Sequence, residues 1–282
     1  MKDLYENFGS GPPPLIWNRT GFPVIPENEP NLGIMYHLAS RIEKYMCRRR
    51  PEDDLKYKNA VCDISSQLNK KSRIQGGKII SKFEKQKIAN ALPAFIRKRK
   101  TTRNFTGIQV SQEKLAMMLG MATAPRDKDP NIADFQEKRV VGSSGGLYPI
   151  DIYLLLWNVE KIPHGVYFFD VNEFGIRFIS KSNVLKKMEV NQFSISDEEL
   201  KKASGAIVLV FVNERIEWKY GNFSYTFGCL EAGHIMHALS LGASYTEIGL
   251  CPIGGFCHSE INKVIGLKEN EEFSLYMCIF GS

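Results

Sequence analysis

Apolar residues in the second half of the chain fall into short unbroken runs and alternations that lay out its elements. "IDIYLLLW" (150–157) and "AIVLVFVN" (206–213) are strand-length runs rich in β-branched and aromatic residues, the pattern of strands covered on both faces. "GVYFFD" and "GIRFIS" flank a polar stretch around Asn172 and Gly175 and predict a hairpin. "YTFGCLEAGHIMHALSLGA" is too long for a strand and apolar on nearly all sides, so it predicts a core helix. "LYMCIF" predicts a last strand. Upstream, helical spacing runs over 35–49, stopped by Pro51, and over 111–122, where Ser111 is placed to cap the first turn. The first 33 residues are rich in Pro, Gly and Asn and read as an extended arm. Residues 52–80 are polar and irregular, with "QGGK" as a turn. Strands and helices mix without regular βαβ spacing and without a GxGxxG run, which gives an α+β class. The expected organisation is an N-terminal extension and helical arm over 1–90 and one domain over 91–282.

Composition narrows this picture. A chain of 282 residues with 43% hydrophobic and 24% charged residues has the make-up of a folded protein. The longest apolar runs are strand-length, and "MKDLYENFGSGPPP" holds no apolar segment of the secretory kind, so no membrane span is expected and the location read is cytoplasmic. The six cysteines form no CxxC pair and are expected reduced; Cys257 and His258 are adjacent without a second cluster, so no metal site is expected. Net charge is +6 overall but uneven, with +11 in residues 1–105 and −5 in the remainder. Twelve Lys and Arg fall between Lys70 and Arg103 against Glu84 alone, a patch that attracts a cofactor phosphate or an acidic partner; nucleic acid is not the expected partner.

Three stretches carry candidate chemistry. "RKTTR" sets Arg99, Lys100, Thr101 and Arg103 close together, the mixture of guanidinium, ammonium and hydroxyl donors that a phosphate takes. "GSSGGLYP" (142–149) and "CPIGGF" (251–256) are small-residue segments whose glycines let backbone come close to a flat ligand. Lys219 and Tyr220 stand side by side before Gly221. Neighbours on a helix or strand point apart, so a shared task for the two points to a loop beside a reaction centre, where both are proton-transfer groups. His234 and His237, three apart on the apolar helix, read as packed core histidines, Glu231 as a cap or pair within that helix, and Trp157 and Trp218 as packing.

In order along the chain these stretches resemble the flavin-dependent nitroreductase superfamily, and within it the SagB-type dehydrogenases that convert azolines to thiazoles and oxazoles in modified peptides. "RKTTR" is similar to the family's basic phosphate segment, "SSGGLYPIDIYLL" to its strand lead-in, and "GVYFFD" to its hairpin. "KYG" with "LEAGH" and "CPIGGF" match its later motifs, and "YHLASR" (36–41) faintly matches its N-terminal signature. The resemblance implies a nitroreductase-like α+β fold, a mixed or antiparallel central sheet flanked by helices. It implies FMN in a groove between the subunits of a homodimer. Arg99, Lys100, Thr101 and Arg103 would hold phosphate and ribityl chain. Ser143, Ser144, Gly145, Gly146 and Leu147 would line the flavin, with Pro252, Ile253, Gly254 and Gly255 on the other side. Lys219 and Tyr220 would handle the substrate proton. A cyclodehydratase complex and a leader-bearing precursor peptide are the implied partners. Two other readings stand beside it, an NAD(P)H-dependent nitro or quinone reductase and a flavin-binding scaffold subunit. Gly142 departs from the family's proline, and the sequence stops at "FGS" without the family's late basic phosphate ligand, which puts the weight on Arg99–Arg103.

Overall fold

The computed structural model describes residues 84–127, 138–192, 194–268 and 271–282, with the short pieces 16–17, 23–24, 33 and 36–37. The arm, most of the 35–49 helix, the "QGGK" turn and the basic residues Lys70, Lys71, Arg73, Lys78 and Lys82 lie outside the described residues.

A six-stranded sheet organises the domain, in the order β5-β4-β3-β6-β8-β7. Its strands are β3 (Ile150–Leu156), β4 (Gly165–Asp170), β5 (Gly175–Ser180), β6 (Gly205–Val212), β7 (Gly249–Ile253) and β8 (Glu272–Gly281). Two further two-residue strands, β1 (Ile16–Trp17) and β2 (Pro23–Val24), pair with each other. Every pairing in the large sheet is antiparallel. The expected hairpin is β4–β5, closed by Asp170, whose Oδ1 accepts the amides of Asn172 and Glu173.

All eight residues of β6 are buried, as its unbroken apolar run requires, because helices cover both sheet faces. One face meets α3 (Gln112–Thr123) and α7 (Ser224–Thr246) through Ile152, Leu154, Ile207, Leu209 and Phe211. The other meets α4 (Val184–Asn191), α5 (Asp197–Lys202) and α8 (His258–Ile265) through Leu155, Val208, Val210, Met277 and Ile279. Alternate residues along one strand thus feed two separate cores, the period-2 consequence of the pleat. Ser111 caps α3 as its position predicts, its side chain accepting the Lys114 amide. Two short helices, α1 (Lys85–Ala91) and α2 (Ala94–Lys98), precede the "RKTTR" stretch, and α6 (Glu214–Tyr220) follows β6.

The long helix α7 corrects the sequence reading. It packs tightly on α3, where a Cβ at Gly242 would lie 2.8 Å from the Met118 carbonyl, yet one stripe of it faces outward. Leu230, Gly233, His234, His237 and Tyr245 are exposed, so the two histidines are not core residues in this chain. An all-round apolar pattern marks a helix meant to be covered, but it does not say that the cover comes from the same chain. Trp218 is likewise exposed, its indole N–H donating to the Arg215 carbonyl, whereas Trp157 is buried. From the faint "YHLASR" match, His37 is buried against Tyr225 of α7 and Phe273 of β8, its Nδ1 sharing a hydrogen bond with the Tyr225 hydroxyl; residues 38–41 lie outside the described residues.

Candidate active site

The stretch before β3 folds as a tight 3-10 turn, Ser144–Gly146. Gly145 and Gly146 both sit in the left-handed region, at φ 63° and 68°, which side chains resist. The lack of a Cβ matters most at Gly145. An atom built there would lie 2.6 Å from Lys219 Nζ and 2.7 Å from the Tyr220 hydroxyl. Both polar atoms therefore converge on one glycine.

Lys219 and Tyr220 occupy the last turn of α6, not a loop, which corrects the expectation drawn from their adjacency. The helix relaxes where it ends: Tyr220 has φ −115° and ψ −4°, and Gly221 has a positive φ of 51°. That departure from helical geometry lets consecutive side chains reach the same place. Tyr220 is buried, its ring edge-on to Phe227 at 4.8 Å, and Lys219 Nζ stands 5.2 Å from the Tyr220 ring centre.

Behind the turn lies Glu231, the only Asp, Glu, Lys or Arg in α7 and just 3% exposed. Burial pushes its carboxyl up to about 7, countered by the Ser143 hydroxyl, the Arg139 charge, the Ser144 amide and the Arg215 charge. Among the described residues its Oε2 has no hydrogen-bond partner. The sequence reading kept Glu231 within its own helix; a lone carboxylate in an otherwise apolar helix was the signal that it serves something outside. Tyr148, next to the turn, is held at a left-handed φ of 48° by three bonds. Its amide donates to Ser143 Oγ, its hydroxyl accepts from the Arg139 amide, and its carbonyl accepts from Arg215. Leu147 is partly buried against the α3–α7 core.

A second group gathers elsewhere. Arg99 to Arg103 runs along the outer edge of β7, where the Thr102 amide donates to the Leu250 carbonyl at 2.9 Å. Lys100, Thr101 and Arg103 are exposed and Arg99 is half-buried. Pro252 and Ile253 belong to β7 itself, so only the later part of "CPIGGF" is a loop. Among the described residues nothing lies within 4 Å of a Cβ placed at Gly254 or Gly255, which leaves their backbone open.

The chain does not bring the two groups together. Glu231 faces the Ser143–Ser144 turn, and Ser244, on the same helix, donates to the Phe95 carbonyl just before the basic segment. Thirteen residues of α7 separate these two points, roughly 20 Å at about 1.5 Å per residue. The sheet register agrees: Leu250 is level, through Phe280 and Gly205, with Leu156 at the far end of β3 from the turn. One chain holds the two candidate groups apart.

A model of the nitroreductase family matches residues 96–282, and the chain belongs to that family of oxidoreductases. A protein of Methanocaldococcus jannaschii named as a nitroreductase is 24% identical over 174 residues, 61% of this chain and 82% of that protein. Among solved structures, a chain of the E. coli microcin synthetase McbBCD complex, solved with truncated pro-MccB17 bound, superposes with a TM-score of 0.61. It is 20% identical, the match covering 77% of this chain and 80% of that one. A nitroreductase-named protein of Anabaena variabilis superposes with a TM-score of 0.54 at 17% identity, covering 89% of this chain and 46% of that one. These structural likenesses carry the fold.

Proposed function

We propose that the protein is an FMN-dependent dehydrogenase that oxidises peptide thiazolines or oxazolines to thiazoles or oxazoles, working as a homodimer beside a cyclodehydratase. The convergence of Lys219 Nζ and the Tyr220 hydroxyl on Gly145 carries this reading. A nitro or quinone reductase has no need of two proton-transfer groups aimed at one point of the turn that would line the flavin. The likeness to a chain of a complex solved with a microcin precursor bound points the same way.

The residues fit a flavin. Exposed Lys100, Thr101 and Arg103, with half-buried Arg99, offer donors to a terminal phosphate, and open backbone at Gly254 and Gly255 leaves room for a flat ring. The two half-sites lie roughly 20 Å apart along α7. A two-fold partner packed on the uncharged stripe of Leu230, Gly233, His234 and His237 would set one chain's basic segment beside the other's turn.

FMN bound there would accept a hydride from the ring, and dioxygen would take the electrons on. Everything else falls to side chains. Oxidation of an azoline removes two electrons and two protons, so one proton must leave the ring carbon with no hydride. Lys219 and Tyr220 would take that proton, one as acceptor and the other as its orienting partner. Glu231, through Ser143 and Ser144, holds the turn against which they work. Lys219→Ala should stay yellow and dimeric while losing about 10²–10⁴-fold in azoline oxidation, read as a 2 Da mass loss per ring. Lys219→Arg should not restore it, because a guanidinium keeps its proton. Near wild-type rates in a yellow, dimeric Lys219→Ala protein would refute the assignment. Rapid NAD(P)H oxidation with a nitroaromatic acceptor, without azoline turnover, would favour the reductase instead.

A further inference from the structure

A cleft of about 600 Å³ opens next to the turn, bounded by Gly146, Tyr148, Asp151, Arg215 and the β4–β5 connection at Phe168–Asn172. Its charges are matched with one exception. Arg215 grips Asp151 with its two terminal guanidinium nitrogens, at 2.6 and 2.9 Å. Asp170 is engaged by Arg177 at 2.7 Å and by the amides of its own turn. Arg139 is different. Its guanidinium lies 4.2 Å above the Tyr148 ring, and among the described residues it makes no hydrogen bond or salt bridge to a carboxylate, Glu231 and Asp151 acting on it only through space. Its backbone amide is used, donating to the Tyr148 hydroxyl, but among the described residues its five side-chain N–H groups have no hydrogen-bond acceptor. The residue is half-buried, and burial lowers the pKa of its side chain, the mark of a cation partly stripped of water. A planar, stacked, partly desolvated guanidinium with its donors unspent is built to receive a planar anion.

We propose that this cleft is a substrate subsite in which Arg139 binds a carboxylate of the peptide, an acidic side chain or the chain's own C-terminus, within a few residues of the reacting ring. The inference rests on the peptide-oxidising reading above and adds a specificity to it. Three features converge. The cleft has the volume of a site for a few residues. Gly146 on its wall is the chain neighbour of Gly145, where Lys219 and Tyr220 meet, which sets the cleft next to the turn that the pair faces. Tyr148 is braced in a strained conformation by Ser143, Arg139 and Arg215, which fixes the ring that supports the guanidinium and so lowers the ordering cost of binding.

The test uses three synthetic probes on the flavin-loaded protein: acetyl-Gly-thiazole-Glu amide, its Gln counterpart, and acetyl-Gly-thiazole-Gly as the free acid. Titration calorimetry reads their affinities for wild type, Arg139→Gln and Arg139→Lys. One or both acids should bind wild type about tenfold or more tighter than the Gln amide, and whichever acid does so names the source of the carboxylate. Arg139→Gln should erase the preference to within about twofold, with flavin content and melting temperature kept. Arg139→Lys, which retains charge but loses the fork, should keep a smaller preference that fades in salt. An acid preference that survives in Arg139→Gln, or its absence in wild type, overturns the proposal. So does loss of flavin from folded Arg139→Gln, since Arg139 would then be a cofactor ligand. A protein that oxidises azolines with no preference for acids keeps the reaction and loses the subsite. An Arg139-dependent preference without azoline oxidation does the reverse.

Discussion

Replacing Glu231 by Gln removes a charge from a site that the fold holds closed. The carboxyl ionises near pH 4.5 when exposed and near 7 in the folded chain, because burial opposes the anion more than Ser143, Arg139, Ser144 and Arg215 favour it. A group whose folded pKa is raised stabilises the fold fully below its unfolded pKa, and that contribution is lost as pH climbs through the folded one. The window is therefore pH 4.5 to about 7, and at about 1.4 kcal/mol per pH unit the loss across it is roughly 3 kcal/mol. Glutamine has the same shape and no titration, so Glu231→Gln should gain on wild type by roughly that amount between pH 4.5 and 8. Urea midpoints of both proteins, taken in half-unit pH steps at fixed protein and flavin concentration, give the difference directly, because every other titrating group cancels. If the two stability curves run parallel over the whole range, folding does not raise the pKa of Glu231 and the account of its environment is wrong.

Other substitutions separate site from scaffold. Gly145→Ala places a methyl where Lys219 Nζ and the Tyr220 hydroxyl lie and in a left-handed conformation; it should cost about 1–2 kcal/mol of stability in urea titrations but at least about 10²-fold in azoline oxidation. Gly242→Ala drives a Cβ into the Met118 carbonyl of α3, where no side chain can yield; it should destabilise by about 1–3 kcal/mol, read from urea midpoints, with any loss of rate following loss of folded protein. The double variant Arg99→Ala with Arg103→Ala should purify colourless. Refolded together with Lys219→Ala, it should recover activity, because a mixed dimer rebuilds one intact site from two damaged chains. A mixture no more active than its parts would show that each site is built within a single chain.

Much of the sheet was legible because strand signals are local. The runs at 150–157 and 206–213 became β3 and β6 to within about a residue, and the hairpin fell where its polar turn predicted. Ser111 marked the start of α3 for the same reason. The helices α4, α5 and α8 drew no expectation from the sequence, being six to eight residues long and too short for a period of 3.6 to stand out. Long-range placement was beyond reach. Nothing local to Glu231 says that it faces a serine turn about ninety residues earlier in the chain, and Arg139 carries no motif at all. Lys219 and Tyr220 were singled out as a pair but assigned to a loop, since only the relaxed dihedrals at the end of α6 show how a helix brings them together. His234 and His237 read as core residues because apolar surroundings in sequence look alike whether or not the same chain supplies the cover, and Trp218 reads as packing from its residue type alone.

The bond from the Thr102 amide to the Leu250 carbonyl ties the basic segment to the sheet as if it were one further rung of the ladder. Gly249 beside it leaves no room for a side chain, with Thr102 Cγ2 2.8 Å from where a Cβ would stand. Loosening of the outer strand and of the basic stretch is therefore coupled. Under the proposed function, in which this stretch holds the cofactor phosphate, occupancy should be readable as slowed hydrogen exchange at Thr102 and along β7, far from the atoms that react.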